Sequence, residues 1–174
     1  MKLNLQSSDF ELFGLPEQFA QDADAIDARW KELQREAHPD RFAAEGAAAQ
    51  RVAMQWSVRI NEAYRRLKNP LQRASYLCEL RGAPINAENN TAMPARFLIE
   101  QMEWREALDE AEGEAELDEL ERQLKEARGQ TLQRIAQLLD RDSDAAAAAQ
   151  QVRALMFIER FGQDVQGRFE QLGQ

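Results

Sequence analysis

The 174-residue chain has a single cysteine, Cys78, and a single histidine, His38. One cysteine excludes an internal disulfide, which fits a reducing compartment. One cysteine with one histidine also excludes a structural zinc site built from four such ligands. Glycine and proline are scarce, at 8 and 5 residues, which leaves little material for a chain of many strands and turns. No apolar run approaches the ~20 residues that span a bilayer. The opening residues, Met1 to Gln6, lack the long apolar core of a secretion signal. A net charge of -9 gives no overall drive toward nucleic acid or anionic membrane. The expected compartment is the cytoplasm, with neither nucleic acid nor membrane as a partner.

What remains is helix-forming material. Hydrophobic residues make up 44% of the chain and charged residues 30%, the balance of a helix-rich globule of one domain or two small ones. Ser8-Asp9-Phe10-Glu11 reads as a capping box opening a short first helix. Gly14 and Pro16 end it, and Phe10 and Phe13 anchor it in a core. Asp22 caps a second helix whose apolar stripe is Ile26, Trp30, Leu33 and Ala37. A third helix carries Val52, Trp56, Ile60, Ala63, Tyr64 and Leu67 at the same spacing, with Trp30, Trp56 and Tyr64 inside. Pro70 opens a fourth, burying Leu71, Ala74, Leu77 and Cys78. Cys78 reads as a small buried apolar residue. Asn86 to Thr91 is a polar linker.

The later part reads as three more helices. Met93-Pro94 opens the fifth. At ~100° per residue, Phe97, Gln101, Trp104, Leu108 and Ala111 share its core face. Leu98, Ile99 and Met102 fall on the other side beside Glu103, Arg105 and Glu106. Apolar residues placed among charges in this way suggest a contact surface, unless a further helix covers them. A long sixth helix follows, with Leu117, Leu120, Leu124, Thr131, Ile135 and Leu138 as its stripe. Between Arg96 and Glu126 twelve acidic residues face four basic ones, and most of these are solvated helix surface. After a polar break at 140–144, capped by Asp142 or Ser143, a seventh helix shows Leu155, Ile158, Gly162, Val165, Phe169 and Leu172 at alternating spacings of three and four. That is the seam of an antiparallel bundle. Phe157 lies off the seam.

Between the second and third helices stands Ala37-His38-Pro39-Asp40-Arg41-Phe42. Pro39 pushes His38 out of the helical conformation, and Asp40 favours a turn. The helix stops there, with an imidazole and a carboxylate close together on a stiff bend. On spacing alone Arg29, Lys31 and Arg35 form a solvated charged face upstream. No glycine-rich phosphate loop occurs. His38 has no nearby serine or cysteine to activate, and the carboxylates show no acid–base pairing. No catalytic residue, cofactor or metal ligand is expected, and the chain is not read as an enzyme.

The flanks of the bend carry a resemblance. Phe10-Glu11-Leu12-Phe13-Gly14-Leu15-Pro16 precedes it, then Arg29-Trp30-Lys31-Glu32-Leu33-Gln34-Arg35-Glu36. Ile60-Asn61-Glu62-Ala63-Tyr64-Arg65-Arg66-Leu67-Lys68-Asn69-Pro70 follows it. In this order, around His38-Pro39-Asp40, they resemble the J domain of DnaJ-type co-chaperones. The segment from Phe97 to Leu108 narrows the likeness to the HscB family, the J-domain co-chaperones of iron–sulfur cluster assembly. The resemblance covers nearly the whole chain. It implies an all-α fold: a J domain at 7–78 (a helical hairpin with a short first helix), a connecting helix end and linker at 79–92, and a scaffold-binding three-helix bundle at 93–174.

The resemblance also implies partners. An HscA/DnaK-type ATP-driven chaperone would meet His38, Pro39, Asp40, Arg29, Arg35 and Arg41, with Asp40 bonding a chaperone arginine. An IscU-type iron–sulfur scaffold would meet Leu98, Ile99, Met102 and Phe157, with Glu103, Arg105 and Glu106 at the edge. The chain would stimulate ATP hydrolysis by the chaperone and deliver the scaffold to it, as a monomer. J domains usually place tyrosine where this chain has Ala37, which removes packing volume. Two other readings stay open: a general J-domain adaptor for another client, and a non-catalytic helical scaffold whose His-Pro-Asp is accidental.

Overall fold

The computed structural model describes residues 3–173, and every described element is helical. Seven α-helices occur among the described residues: α1 (Asp9–Phe13), α2 (Ala23–Ala37), α3 (Ala47–Lys68), α4 (Pro70–Leu80), α5 (Ala95–Glu110), α6 (Glu114–Asp140) and α7 (Ala145–Leu172), with a 3-10 helix at Pro39–Glu45. The chain forms two compact units, divided between Tyr76 and Leu77.

In the first unit α2 and α3 form the hairpin and α1 packs against both. At five residues α1 is too short to be stable alone. It persists because Phe10, Leu12 and Phe13 are buried, each contributing ~1.5–3 kcal/mol. Its ends are fixed as the sequence predicts. The Ser8 side chain accepts from the Glu11 N–H, and Gly14 takes the left-handed conformation at φ 64°, where a side chain would be strained. Asp22 caps α2 by accepting from the Asp24 N–H.

The stripe of α3 departs from the expectation at one end. Val52 is exposed and Ala53 is buried in its place. The expected loop after the bend coils instead into the 3-10 helix, and Gly46, at φ 101°, turns the chain into α3. This shifts which side of the first α3 turns meets the core.

Trp30, Trp56 and Tyr64 are half-buried rather than inside. For Trp30 and Tyr64 the polar tips explain the difference. Trp30 stacks on Tyr64 at 4.7 Å, and its indole N–H donates to Asn61 at 2.9 Å. The Tyr64 hydroxyl donates to Asp27 at 2.7 Å, and Lys68 reaches the same oxygen at 2.9 Å. These bonds hold the Asp27 carboxyl below its usual range, Lys68 first and Tyr64 second.

α4 begins in the first unit and ends in the second. In the second unit Leu77 and Cys78 are fully buried. Helices α5, α6 and α7 make a three-helix bundle whose core includes Phe97, Trp104, Leu120, Leu124, Ile158 and Phe161. Helix α5 starts at Ala95, with Pro94 at its cap position. Asp144, not Asp142 or Ser143, caps α7, by accepting from the Ala147 N–H. Asp142 is engaged by Gln137 at 3.0 Å, and Ser143 takes φ 50°. Phe161 takes a place in the seam that the expected stripe omitted, and Leu172 at its end is exposed.

Candidate functional site

Two surfaces carry the residues singled out above, one in each unit. In the first, His38 ends α2 with extended backbone at φ -64° and ψ 129°, as Pro39 requires. Pro39 then opens the 3-10 helix, where a missing N–H costs nothing. The Asp40 N–H donates to the His38 Nδ1 at 3.2 Å, which in the neutral ring leaves the imidazole proton on Nε2. The Asp40 carboxylate lies 3.7 Å from the same ring nitrogen, and its side chain is 92% exposed. It is therefore a free acceptor on a bend whose backbone is fixed.

The bend is braced from behind. The Arg41 guanidinium donates to the Arg35 carbonyl at 3.3 Å, answering an orphan carbonyl at the negative end of α2. Arg35, His38, Pro39, Asp40 and Arg41 are thus brought together. Arg29 is not. It lies six residues before Arg35, about 120° around the helix by the helical repeat, and pairs with Glu32 at 3.1 Å. Behind the bend Ala37, Leu33, Phe42, Val52 and Trp56 line an apolar groove of about 490 Å³.

The second surface is on α5. Phe97 and Trp104 are buried, so its core face is filled. On the opposite side Leu98 is 51%, Ile99 61% and Met102 72% exposed. Glu103, Arg105 and Glu106 are exposed around them. Phe157, on α7, is half-buried, and it is no stray surface aromatic. Its ring lies edge-on to Phe97 at 5.7 Å and stacked on Phe161 at 5.7 Å. The Arg105 guanidinium covers it at 5.3 Å, a cation–π contact. That contact brings Phe157 to the edge of the α5 surface.

One residue behind this surface had no signal in the sequence. Arg153 on α7 is only 6% exposed. It donates to the Ile85 carbonyl at 3.0 Å and to the Ala92 carbonyl at 3.1 Å. It thereby clamps both ends of the segment that leads into α5. Residues 152–155 are all buried, so the helix is covered on every side here, whereas a one-face pattern would put an arginine in the solvated part.

Cys78 has the environment of an inert thiol: burial pushes it up to about 11. No helix among the described residues is long and apolar enough to cross a membrane. Among them no group of three or more His, Cys, Asp and Glu side chains is placed to hold a metal ion.

Comparison with known proteins gives the chain's relatives. Residues 93–166 match the family described as the HSCB C-terminal oligomerisation domain. A co-chaperone protein HscB homolog from Burkholderia multivorans is 50% identical over 98% of each chain. Among solved structures, chaperone HscB from Vibrio cholerae is 36% identical, with a TM-score of 0.81 over 95% of this chain and 99% of that one. Human co-chaperone protein HscB is 27% identical, with a TM-score of 0.86 over 94% of this chain and 83% of that one.

Proposed function

We propose a bridging function for this chain, starting from the fact that it belongs to the HscB family of co-chaperones. Co-chaperones are not enzymes, and the catalysis lies in the partner. The first unit docks on an HscA/DnaK-type ATP-driven chaperone. Asp40 accepts a charge-assisted bond from a chaperone arginine. His38 supplies its Nε2 N–H, and Pro39 holds the bend. Arg35 and Arg41 add positive charge beside it, with Arg29 further along α2. Docking favours the chaperone conformation that hydrolyses ATP.

The second unit holds an IscU-type iron–sulfur scaffold on Leu98, Ile99 and Met102. Phe157 and Arg105 form one border of that surface, and Glu103 and Glu106 the other. Holding both partners raises the effective concentration of one near the other, so that hydrolysis is coupled to client capture. The role would be exercised in the cytoplasm.

The observation that carries this reading is the openness of the α5 strip. Apolar side chains as exposed as Met102, at 72%, stand on a helix whose core face is already occupied, which is a feature of interaction sites. The test is a bridging assay. Immobilised chaperone should retain the scaffold only when this chain is added. Scaffold retained equally without the chain would refute the reading. A general adaptor for another client would retain no scaffold at all.

A further inference from the structure

A second exposed apolar strip lies on α3, outside every contact proposed above and outside the residues matched to the oligomerisation domain. Met54 is 58% and Val58 60% exposed, one helical turn apart on one face. Arg51 and Arg65 stand on that face, both exposed. Neither makes an ion pair among the described residues. The strip is thus apolar with unanswered positive charge at each end.

The α5 strip is its counterpart. Leu98 and Met102 are likewise one turn apart, and the exposed acids nearby are Glu103, Glu106 and Asp109. Both strips are single helix faces about one helix-width across. Both are apolar along a similar length, and their borders differ in charge: Glu103, Glu106 and Asp109 outnumber the single Arg105 beside the α5 strip, whereas Arg51 and Arg65 flank the α3 strip.

We propose that the α3 strip of one copy of this chain binds the α5 strip of a second copy. The contact is heterologous, so each copy keeps one free strip of each kind, and association is open-ended unless rotation closes a ring. Opposite charges steer the encounter and weaken as salt screens them. The association stands without the bridging function. Only its consequence rests on that reading: an occupied α5 strip is withheld from the scaffold, so crowded copies are held in reserve.

The test uses the full chain and two exposed-site variants, Val58→Glu and Met102→Glu, with sedimentation equilibrium as readout. The wild-type mass should climb with concentration through the high micromolar range without settling at two chains, and climb less at high salt. Each variant alone should stay at the mass of one chain at every concentration, because every copy then lacks the same one of the two strips. Mixed in equal amounts, they should form a two-chain species and nothing larger, because only one good α3 strip and one good α5 strip remain. Met54→Asp repeats the α3 lesion should Val58→Glu fold poorly, as judged by circular dichroism. Wild type fixed at one chain, or a mixture that forms no pair, overturns the proposal. Scaffold binding by Val58→Glu reports separately on the bridging function, since it leaves α5 intact.

Discussion

The carboxylate of Asp9 is fully buried, and Arg66 holds it at both oxygens, from Nε at 2.6 Å and from Nη2 at 2.8 Å. Arg59 reaches it from one side at 2.8 Å, and the Asp9 N–H donates to the Tyr76 hydroxyl at 3.0 Å. The Arg66 guanidinium also lies 4.1 Å over the Tyr76 ring. This knot ties α1, α3 and α4 together within the first unit. Breaking one partner of such a cluster leaves charge buried and uncompensated, at a cost of about 3–5 kcal/mol. Asp9→Asn should therefore lower the urea midpoint strongly without altering either exposed surface. A loss below about 1 kcal/mol, the value of a surface pair, would contradict the role assigned to the knot.

The elements themselves were legible in the sequence, because caps and apolar spacing are local signals. Ser8, Gly14, Asp22 and the α6 leucines all behave as their neighbours dictate. The Asp9 knot was not legible. Asp9 reads as a first-turn acid, and nothing local links it to arginines fifty or more positions away. Arg153 escaped for the same reason. For Leu98, Ile99 and Met102 the sequence leaves two outcomes open, a contact surface or cover by a further helix, because spacing within one helix does not say how many helices pack on it; all three are exposed. The burial of Phe157 was missed, because its neighbours Phe97 and Arg105 come from another helix.

Ala37 borders the groove behind the bend, where J domains usually carry a tyrosine. Ala37→Tyr should fill part of that space in contact with Leu33, Phe42 and Trp56. Cavity filling of this kind adds about 0.5–2 kcal/mol. At roughly 4–8 °C per kcal/mol for a unit of this size, the thermal midpoint of the first unit should rise by several degrees. Differential scanning calorimetry reads this directly, and a fall in the midpoint would show that the groove has no room for the ring.

Cys78 gives a pH signature. Its thiol is raised from 9.0 to about 11 by burial. Below pH 9 both states keep the proton, and the thiol's contribution to stability is complete. Above that the unfolded chain ionises first, so the contribution is lost as pH rises toward about 11. Urea midpoints should therefore fall more steeply between pH 9 and 11 in wild type than in Cys78→Ala. Identical slopes would contradict the burial assigned to the thiol. The native thiol should also resist disulfide reagents at pH 8 and react fully in denaturant.

Leu98→Ala combined with Met102→Ala removes the centre of the α5 strip. Apolar anchors at the middle of an interface cost about 1–2 kcal/mol each when truncated, and every 1.4 kcal/mol is about tenfold. Calorimetric titration should show scaffold affinity falling about 30–700-fold. Basal stimulation of the chaperone should be unchanged, because the first unit is untouched. Unchanged affinity would move the scaffold elsewhere and favour a general adaptor.

The most direct measurement of the bridging function is the steady-state ATPase rate of the chaperone with Asp40→Asn in place of the parent chain. That side chain is 92% exposed, so circular dichroism and thermal midpoint should match the parent. The account predicts that stimulation disappears, with and without scaffold, while scaffold binding to the variant persists. Equal stimulation by Asp40→Asn and parent would contradict it, and would leave the His-Pro-Asp bend as an ordinary turn between two helices.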